Sequence, residues 1–300
     1  MNQIPSLQNE PKQIQRLAAQ RQLYSIAKTF QGCQVILNIL VVVSVSVFAG
    51  YYDQFLPIAA LMGLLIAIVD IAFLDPQIRG KRMKAAKIQE LFDCSVLSMD
   101  CSPLKTVDDV GLDEVLFYYD QHAKKKSRIE KLEDWYPKEV GNLPLEMARL
   151  LCQVASCRWD RKLRERYKSA LWAVCIVVPI ALTILGFAMK MNFVNLVLLA
   201  NSVLPLILYC VKQVIDQEDA VKRLNSLSRY SDSLWKKAIA KTISQEDLVN
   251  GSRRLQDEIF DNRSKSSLVP DWAYGLFKDN DEKLMQQVTD ELIKEALRTN

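Results

Sequence analysis

Histidine is almost absent from this 300-residue sequence, in which His122 is the single example. The sequence therefore holds no HExxH motif and no Cys/His zinc spacing, and it leaves little scope for a histidine-activated nucleophile. Glycine is also scarce, at nine residues, and neither GxGxxG nor GxxxxGKS/T occurs, so we do not expect ATP hydrolysis. These absences predict a protein that is not an enzyme and that has no metal or resident cofactor, although a carboxylate-dependent membrane enzyme stays open.

The sequence also lacks CxxC pairs, a signal peptide and a strong excess of charge. Its seven cysteines form an odd set, and three of them lie inside apolar runs, which favours free thiols in a reducing compartment over disulfides. Residues 1–31 are mostly polar and the first apolar run is too long for a signal peptide, so we expect the amino terminus to be retained. A formal net charge of +4 is too small to predict direct nucleic-acid binding.

Four apolar runs of membrane length are present, although the mean hydropathy of the whole chain is zero. They cover residues 32–50, 56–74, 170–189 and 194–211. At 1.5 Å rise per residue, a run of about 20 residues covers the roughly 30 Å hydrocarbon layer, so each run can span a membrane. Buried core helices are the alternative, which the all-round apolar faces and the arrangement in two close pairs disfavour.

Basic residues lie beside these runs on one side only. They precede the first and third runs and follow the second and fourth, whereas the turns at residues 51–55 and 190–193 together hold one. The positive-inside rule then makes both termini and the middle segment cytoplasmic. We predict an all-α membrane protein with four transmembrane helices in two hairpins. The predicted segments are a cytoplasmic N-terminal segment, 1–31; hairpin 1, 32–74; a cytoplasmic helical insert, 75–169; hairpin 2, 170–211; and a cytoplasmic helical tail, 212–300.

The insert and the tail both read as helical, and we expect them to share one bundle. Asp75-Pro76 is typical of an N-cap followed by proline at the first helical position, which predicts a new helix where the second run ends. A helical pattern resumes at residues 112–132, and another helix is expected to run from Leu145 into the third apolar run. In the tail, residues 216–262 predict two amphipathic helices with a break, and residues 281–297 a last helix.

Three motifs, taken in order with this layout, resemble a known family. They are AAKIQELFDCSV after the second run, CRWDRKLRERY before the third and VPDWAY near the carboxyl terminus. Together they resemble the S-4TM family, the four-transmembrane effectors associated with bacterial nucleotidyltransferases that make cyclic oligonucleotides. The resemblance covers essentially the whole chain.

The resemblance implies an effector of CBASS-type antiphage defence in the bacterial inner membrane. A cyclic oligonucleotide made after infection would activate it, and it would permeabilise the membrane by forming a pore, so that the cell dies or stops growing. We expect a homo-oligomer, because four helices from one chain would rarely enclose a water-filled path. A membrane scaffold that conducts nothing and recruits a cytosolic partner is the alternative.

Polar and proline residues inside the apolar runs are the candidates for pore or gating roles. Asp70 is the one acidic residue within a run, and an intramembrane carboxylate is costly and often functional, although this one could also reach the interface or pair with a basic residue. Asn38 and Asn201 suit bonds between helices as well as an ion site. Pro179 and Pro205 lie mid-run, where a kink serves either as a gating hinge or as static packing.

Two basic clusters are candidates for ligand phosphates. In the first, Arg158, Arg161 and Arg164 would bind phosphates while Trp159 stacks on a base; the plainer interpretation is a topology signal that meets anionic headgroups. The second consists of Arg253, Arg254 and Arg263.

The VPDWAY motif supplies two more candidates, Trp272 and Tyr274. Pro270 disfavours helix at the residue before it, and Asp271 can cap a helix beginning with Trp272. Both aromatic rings then either anchor the tail on the bundle or the membrane interface, which we favour, or stack on a nucleotide base.

Overall fold

The computed structural model describes residues 2–41, 44, 56–105, 110–188, 190 and 193–299. Within these ranges every regular element is helical, which confirms the all-α prediction. The α-helices, α1 to α10 in chain order, are Ile4–Leu7, Pro11–Val35, Leu56–Val69, Asp75–Val96, Leu112–Ala123, Lys126–Ile129, Leu145–Ala188, Phe193–Ile239, Gln245–Lys265 and Asp271–Thr299. The remaining helical turns are of the π type at Ile36–Val41 and Asp70–Leu74 and of the 3-10 type at Pro103–Lys105, Glu130–Leu132 and Lys138–Asn142.

Two of the described helices are long and apolar enough to cross a membrane, judged by length and composition. One runs from Leu61 to Val96 and the other is α7. In the most apolar stretch of each, only 17% and 11% of the residues are buried within the protein. Apolar side chains exposed over such a length are what a lipid-facing helix requires. The predicted turn at residues 51–55 lies outside the described residues.

An α-helix does begin at Asp75, as predicted, but Asp75 is not its N-cap, because α3 continues through the π turn Asp70–Leu74 into α4 without a break. Asp75 has helical backbone angles, and its N–H bonds the carbonyl of Asp70 five residues earlier. Pro76 has no N–H and its ring crowds the carbonyl four residues before it, which the wider π turn accommodates. The Asp75 carboxylate pairs with Arg79 at 2.8 Å instead of capping a helix.

The expected helix from Leu145 into the third apolar run is confirmed. α7 is a single helix of 44 residues that contains Pro179, and α8, of 47 residues, runs alongside it. Near its amino end α7 buries Met147, Leu150 and Leu151, whereas further along it exposes apolar side chains such as Ile176 and Ile184. The burial pattern of one continuous helix therefore changes along its length from core packing to outward-facing apolar surface.

Helices of the N-terminal segment, the insert and the tail share one hydrophobic core. We call these packed helices the bundle. The core draws on α1, α2, α4, α7, α8, α9 and α10, with Ile4, Leu17, Phe92, Leu150, Leu224, Leu255 and Ile293 among its buried members. A smaller cluster packs α5 on α2 and α4 through Val115, Tyr118, Leu23 and Ile88. The insert helix predicted over residues 112–132 is shorter than expected, because α5 ends at Ala123 and only short helical turns follow.

The tail follows its predicted pattern up to α9. A break after Ile239 precedes α9, whose N-cap Ser244 accepts a hydrogen bond from the Asp247 N–H at 3.0 Å. The last helix begins ten residues earlier than residues 281–297 predicted, because α10 starts at Asp271, directly after Pro270. Asp271 is thus the first helical residue and not the cap before Trp272.

Candidate functional site

The first candidate site is a polar cluster between two apolar segments. The Gln34 amide donates to Asp70 Oδ1 at 2.7 Å, and the Asn38 amide donates to Asp70 Oδ2 at 3.0 Å. Asn38 lies in the π turn Ile36–Val41 and Asp70 opens the π turn Asp70–Leu74, so the bond between their side chains joins the two π turns. The carboxylate therefore reaches neutral amides of a neighbouring helix, and not the basic residue that was one alternative from the sequence.

The other pore and gating candidates are placed less fully. Asn201 and Pro205 belong to α8, but their side chains lie outside the described part of the structure. Pro179 is exposed within α7, and Thr183 donates its hydroxyl to the Pro179 carbonyl at 2.8 Å. This is the back-bond that a helical threonine commonly makes to the carbonyl four residues earlier, whereas the carbonyl that loses its usual N–H donor to Pro179 is that of Cys175.

The basic cluster CRWDRKLRERY forms a row of contacts between α7 and α8. Arg158 pairs with Asp232 at 2.6 Å, and Lys168 pairs with Glu218 at 2.5 Å. Between them, Arg161 donates to Asn225 at 3.1 Å and Arg164 to Gln217 at 2.8 Å. These guanidinium groups already have intramolecular partners, so a phosphate would have to exchange with them.

Trp159 lies among the apolar side chains that surround Leu163 and Tyr167. Its partly buried ring is therefore engaged in packing. A shallow cleft lined by Leu151, Arg158 and Val288 encloses about 180 Å³, its open mouth included. Pockets for small ligands usually measure about 300–1,000 Å³, so this cleft is too small for a cyclic dinucleotide in the conformation described.

The second arginine cluster divides between two surfaces of α9. Arg253 pairs with Glu90 of α4 at 2.7 Å, and Arg263 pairs with Asp93 of the same helix. Arg254 is exposed. The three residues therefore do not converge on one phosphate site.

Glu90 and Asp93 are the centre of a buried polar network. Their side chains are 0% and 1% exposed. Gln256 donates to both carboxylates, at 2.8 and 2.9 Å, and the Tyr136 hydroxyl donates to Asp93 at 2.8 Å. Burial and the nearby Asp93 charge raise the pKa of Glu90, whereas burial lowers the pKa of Arg253 and its bond to Glu90 more than offsets that effect. Each oxygen of the two carboxylates receives an internal hydrogen bond, whereas the buried Arg253 Nε has no partner among the described residues. Carboxylates satisfied in this way are typical of a structural role.

The segment from Ser264 to Asp271, which we call the clasp, joins α9 to α10 and carries the start of the VPDWAY motif. Polar side chains from four helices bind it. Arg82 of α4 donates to the carbonyls of Ser264 and Ser266 at 2.8 and 3.1 Å. Arg164 of α7 donates to the carbonyl of Ser267 at 2.8 Å.

The other two helices complete the clasp. The Ser267 hydroxyl donates to Asp216 of α8 at 2.8 Å, and Lys28 of α2 pairs with Asp271 at 2.5 Å. Each of these helices is joined directly in sequence to one of the four apolar runs. The clasp therefore contacts each of the four helices that lead toward the apolar runs.

Apolar contacts reinforce the clasp. Leu268 packs with Ala27 and Ile78, while Val269 and Ala273 pack into the cluster of Leu163, Tyr167, Leu171, Cys210 and Val214. The Trp272 ring meets Tyr167 edge to face at 5.8 Å between centroids and stays 57% exposed. The Tyr274 side chain lies outside the described part of the structure. Burial raises the pKa of nearby Tyr24 to about 12, so this hydroxyl is neutral at ordinary pH.

Sequence reasoning missed several residues of these sites. Gln34 stands four positions before Asn38, and this spacing on an otherwise apolar helix predicts one shared polar face, a signal that was present but not used. In the sequence, Arg82 is one of several basic residues that follow the second apolar run, as the positive-inside rule predicts. Glu90 and Asp93 have the pattern of charged residues on a solvent-exposed helix face. The clasp carbonyl that Arg82 binds, and the arginines that pair with Glu90 and Asp93, lie more than 100 positions away in sequence, so local patterns do not identify them.

Comparisons with known proteins give one consistent result. A family model described as "SMODS-associating 4TM effector domain" matches residues 2–292. A curated relative from Bacillus cereus (strain VD146), described as a probable CBASS effector molecule, is 23% identical over 299 residues, covering 96% of this chain and 98% of the relative. No solved structure matches the chain.

Proposed function

Because the chain belongs to the family of SMODS-associating 4TM effector domains, we propose that a cyclic oligonucleotide activates it to permeabilise the bacterial inner membrane. The proposed protein crosses the membrane four times, keeps both termini and the bundle in the cytoplasm, and works as a homo-oligomer. Permeabilisation would end the infection together with the growth of the cell. The description of the Bacillus cereus relative as a probable CBASS effector supports the same role.

The observation that carries this proposal is the continuity of α7 and of the helix from Leu61 to Val96. Each has one end in the bundle core and the other in an apolar stretch that few protein contacts cover. A continuous helix with that distribution would transmit a displacement of the bundle to the membrane. The same continuity would not be needed for a simple membrane anchor.

The mechanism we propose is a population shift. The ligand binds a bundle arrangement that is rare in its absence, and the clasp, which contacts all four membrane-directed helices, moves them together. As the helices slide, the arginines between α7 and α8 would exchange their present hydrogen-bond partners on α8 for others. The ligand is a signal here and undergoes no reaction.

Co-expression with a bacterial cyclic-oligonucleotide synthase tests the function in cells. We expect a potential-sensitive dye to report depolarisation with the active synthase and none with a synthase variant that cannot make product. Polarised membranes in both cultures, with the effector present in the membrane fraction, would contradict the proposal. Depolarisation should precede the loss of colony formation.

A non-conducting scaffold is the second candidate, and the outer face of α5 favours it. Leu112 and Phe117 are 63% and 59% exposed on a helix that packs against the bundle. Exposed apolar faces of this kind often receive a partner protein. A co-purifying cytosolic protein, lost in a Phe117→Ser variant and unaccompanied by depolarisation, would support the scaffold and refute the pore.

A further inference from the structure

The polar cluster at Asp70 continues along one face of the first apolar helix. Gln31, Gln34 and Asn38 follow one another at spacings of three and four residues, which places them on one helix face. A hydrogen bond joins Gln31 to the Tyr209 hydroxyl of α8, while Gln34 and Asn38 bond Asp70. Side chains from three helices thus form a polar line that starts beside the clasp and enters the apolar region.

The charge of Asp70 distinguishes it from the rest of this line. Each of its carboxylate oxygens receives a hydrogen bond from a neutral amide, at 2.7 and 3.0 Å. Amide dipoles orient a carboxylate but leave its negative charge, so a cation close to it gains electrostatic energy. Rings of Asp or Glu side chains select cations in channels by the same attraction.

The local backbone is consistent with a functional site. Both helices that meet at the cluster widen into π turns there, Ile36–Val41 and Asp70–Leu74. Single π turns within α-helices are costly relative to the regular helix and occur frequently at functional sites. Asp70 itself is half-buried, while its neighbours Val69 and Ile71 are exposed apolar residues.

We propose that the Asp70 carboxylate selects monovalent cations such as K⁺ and Na⁺ in the membrane path, with Gln34 and Asn38 as the residues that position it. This inference rests on the proposed function, because it assumes that a path opens. In an oligomer each subunit contributes one such carboxylate, which multiplies the negative potential in the path. The wild-type conductance is therefore cation-selective.

The experiment measures the reversal potential of the full-length protein in planar lipid bilayers under a KCl gradient, with a panel of cyclic di- and trinucleotides as the activating probes. We expect the wild-type current to prefer K⁺ over Cl⁻ several-fold. Asp70→Asn should bring this preference close to unity, because it keeps an oxygen acceptor for the amides but removes the charge. Asp70→Glu should retain the preference.

Asp75→Asn is the matched control, since Asp75 lies five positions away, is partly exposed and is already paired with Arg79. It should leave the selectivity at the wild-type value. An unchanged preference in Asp70→Asn, or a wild-type current that favours Cl⁻, would overturn the inference while the proposed function stands. A wild-type protein that passes no current with any probe would refute the proposed function and this inference with it.

The alternative role of Asp70 is to hold two helices together by hydrogen bonds. In that case Asp70→Asn changes the thermal unfolding midpoint and the amount of protein reconstituted, but not the reversal potential. Reversal potential does not depend on the number of open molecules, so a partly unfolded sample still gives a clear answer. The two roles are thereby separated even if the variant is less stable.

Discussion

Two carboxylate sites in the described part of this molecule differ in what meets the negative charge. In the bundle, Glu90 and Asp93 pair with Arg253 and Arg263. Between the apolar segments, Asp70 receives only amide dipoles from its described partners. Compensated charges stabilise one arrangement of helices, whereas an uncompensated charge remains available to a passing cation. The presence or absence of a cationic partner among the described residues therefore distinguishes the structural site in the bundle from the proposed cation site at Asp70.

The largest effect should follow from removing the guanidinium that meets Asp93. Arg263→Met leaves a carboxylate that is 1% exposed without its ionic partner, and breaking such a buried pair costs about 3–5 kcal/mol. Chemical denaturation in detergent, followed by circular dichroism, measures the loss. Arg254→Met, on the exposed side of the same helix, is the control and should change stability by no more than about 0.5 kcal/mol. A similar small change in both variants would contradict a structural role for the pair.

Loosening the clasp should have a smaller effect. Arg164→Met removes the bonds to Gln217 and to the Ser267 carbonyl, both made by Nη1, together with the pair between Nε and Asp160. A hydrogen bond to a charged group contributes about 1.5–3 kcal/mol, and we expect a loss of about 3 kcal/mol because one nitrogen makes two of the three contacts. Hydrogen exchange of the amides of residues 266–269 should accelerate as well. Arg229→Met, whose guanidinium bonds a serine at the surface, should leave that exchange rate unchanged. Protection that persists in Arg164→Met would show that the arginine does not hold the clasp.

Trp272 tests whether the motif docks the tail or binds a ligand. Its ring is partly exposed and contacts Tyr167, so Trp272→Ala should cost about 1–2 kcal/mol, and Trp272→Phe should recover part of that loss. The unfolding midpoint measures this docking. A Trp272→Ala variant with wild-type stability but no response to any cyclic oligonucleotide would instead indicate base stacking.

The effect that is smallest at pH 7, and that develops only in acid, concerns the single histidine. Burial, with the charges of Arg128 and Arg21, lowers the pKa of His122 from 6.5 to about 4. The unfolded chain therefore takes up a proton first as the pH falls, and stability decreases between pH 6.5 and about 4. In the described structure neither ring nitrogen has a hydrogen-bond partner, so His122→Phe should keep stability at pH 7 and reduce the acid dependence. If the unfolding curves of the wild type and of His122→Phe do not differ across this pH range, His122 does not cause the acid dependence.

Sequence patterns predicted the structural features that depend on residues close together in the chain. The helical class, the continuous helix from Leu145 and the break before α9 follow from local periodicity, and the order of three weak motifs identified the family correctly. The capping role predicted for Asp75 failed because a proline rule for isolated helices does not anticipate a π turn that accommodates the proline within a continuous helix. Four membrane spans and their orientation stay predictions.

Site residues were harder to predict for a physical reason. A basic residue beside an apolar run has the same sequence signature whether it faces lipid, a phosphate or another helix. Arg158 and Arg164 proved to contact α8, and this depends on Asp232 and Gln217, which lie more than 50 positions away. Asp70 was conspicuous as a lone acid in an apolar run, but its amide partners follow only from the packing of two helices.

Release of potassium from proteoliposomes tests the central claim most directly. The purified full-length protein is sealed into liposomes loaded with K⁺ and a small dye, and each cyclic oligonucleotide is added outside after the protein orientation has been determined. We predict rapid K⁺ release with at least one of these nucleotides and none with the corresponding linear product. Liposomes that stay sealed to both ions and dye with every cyclic oligonucleotide tested would contradict the account.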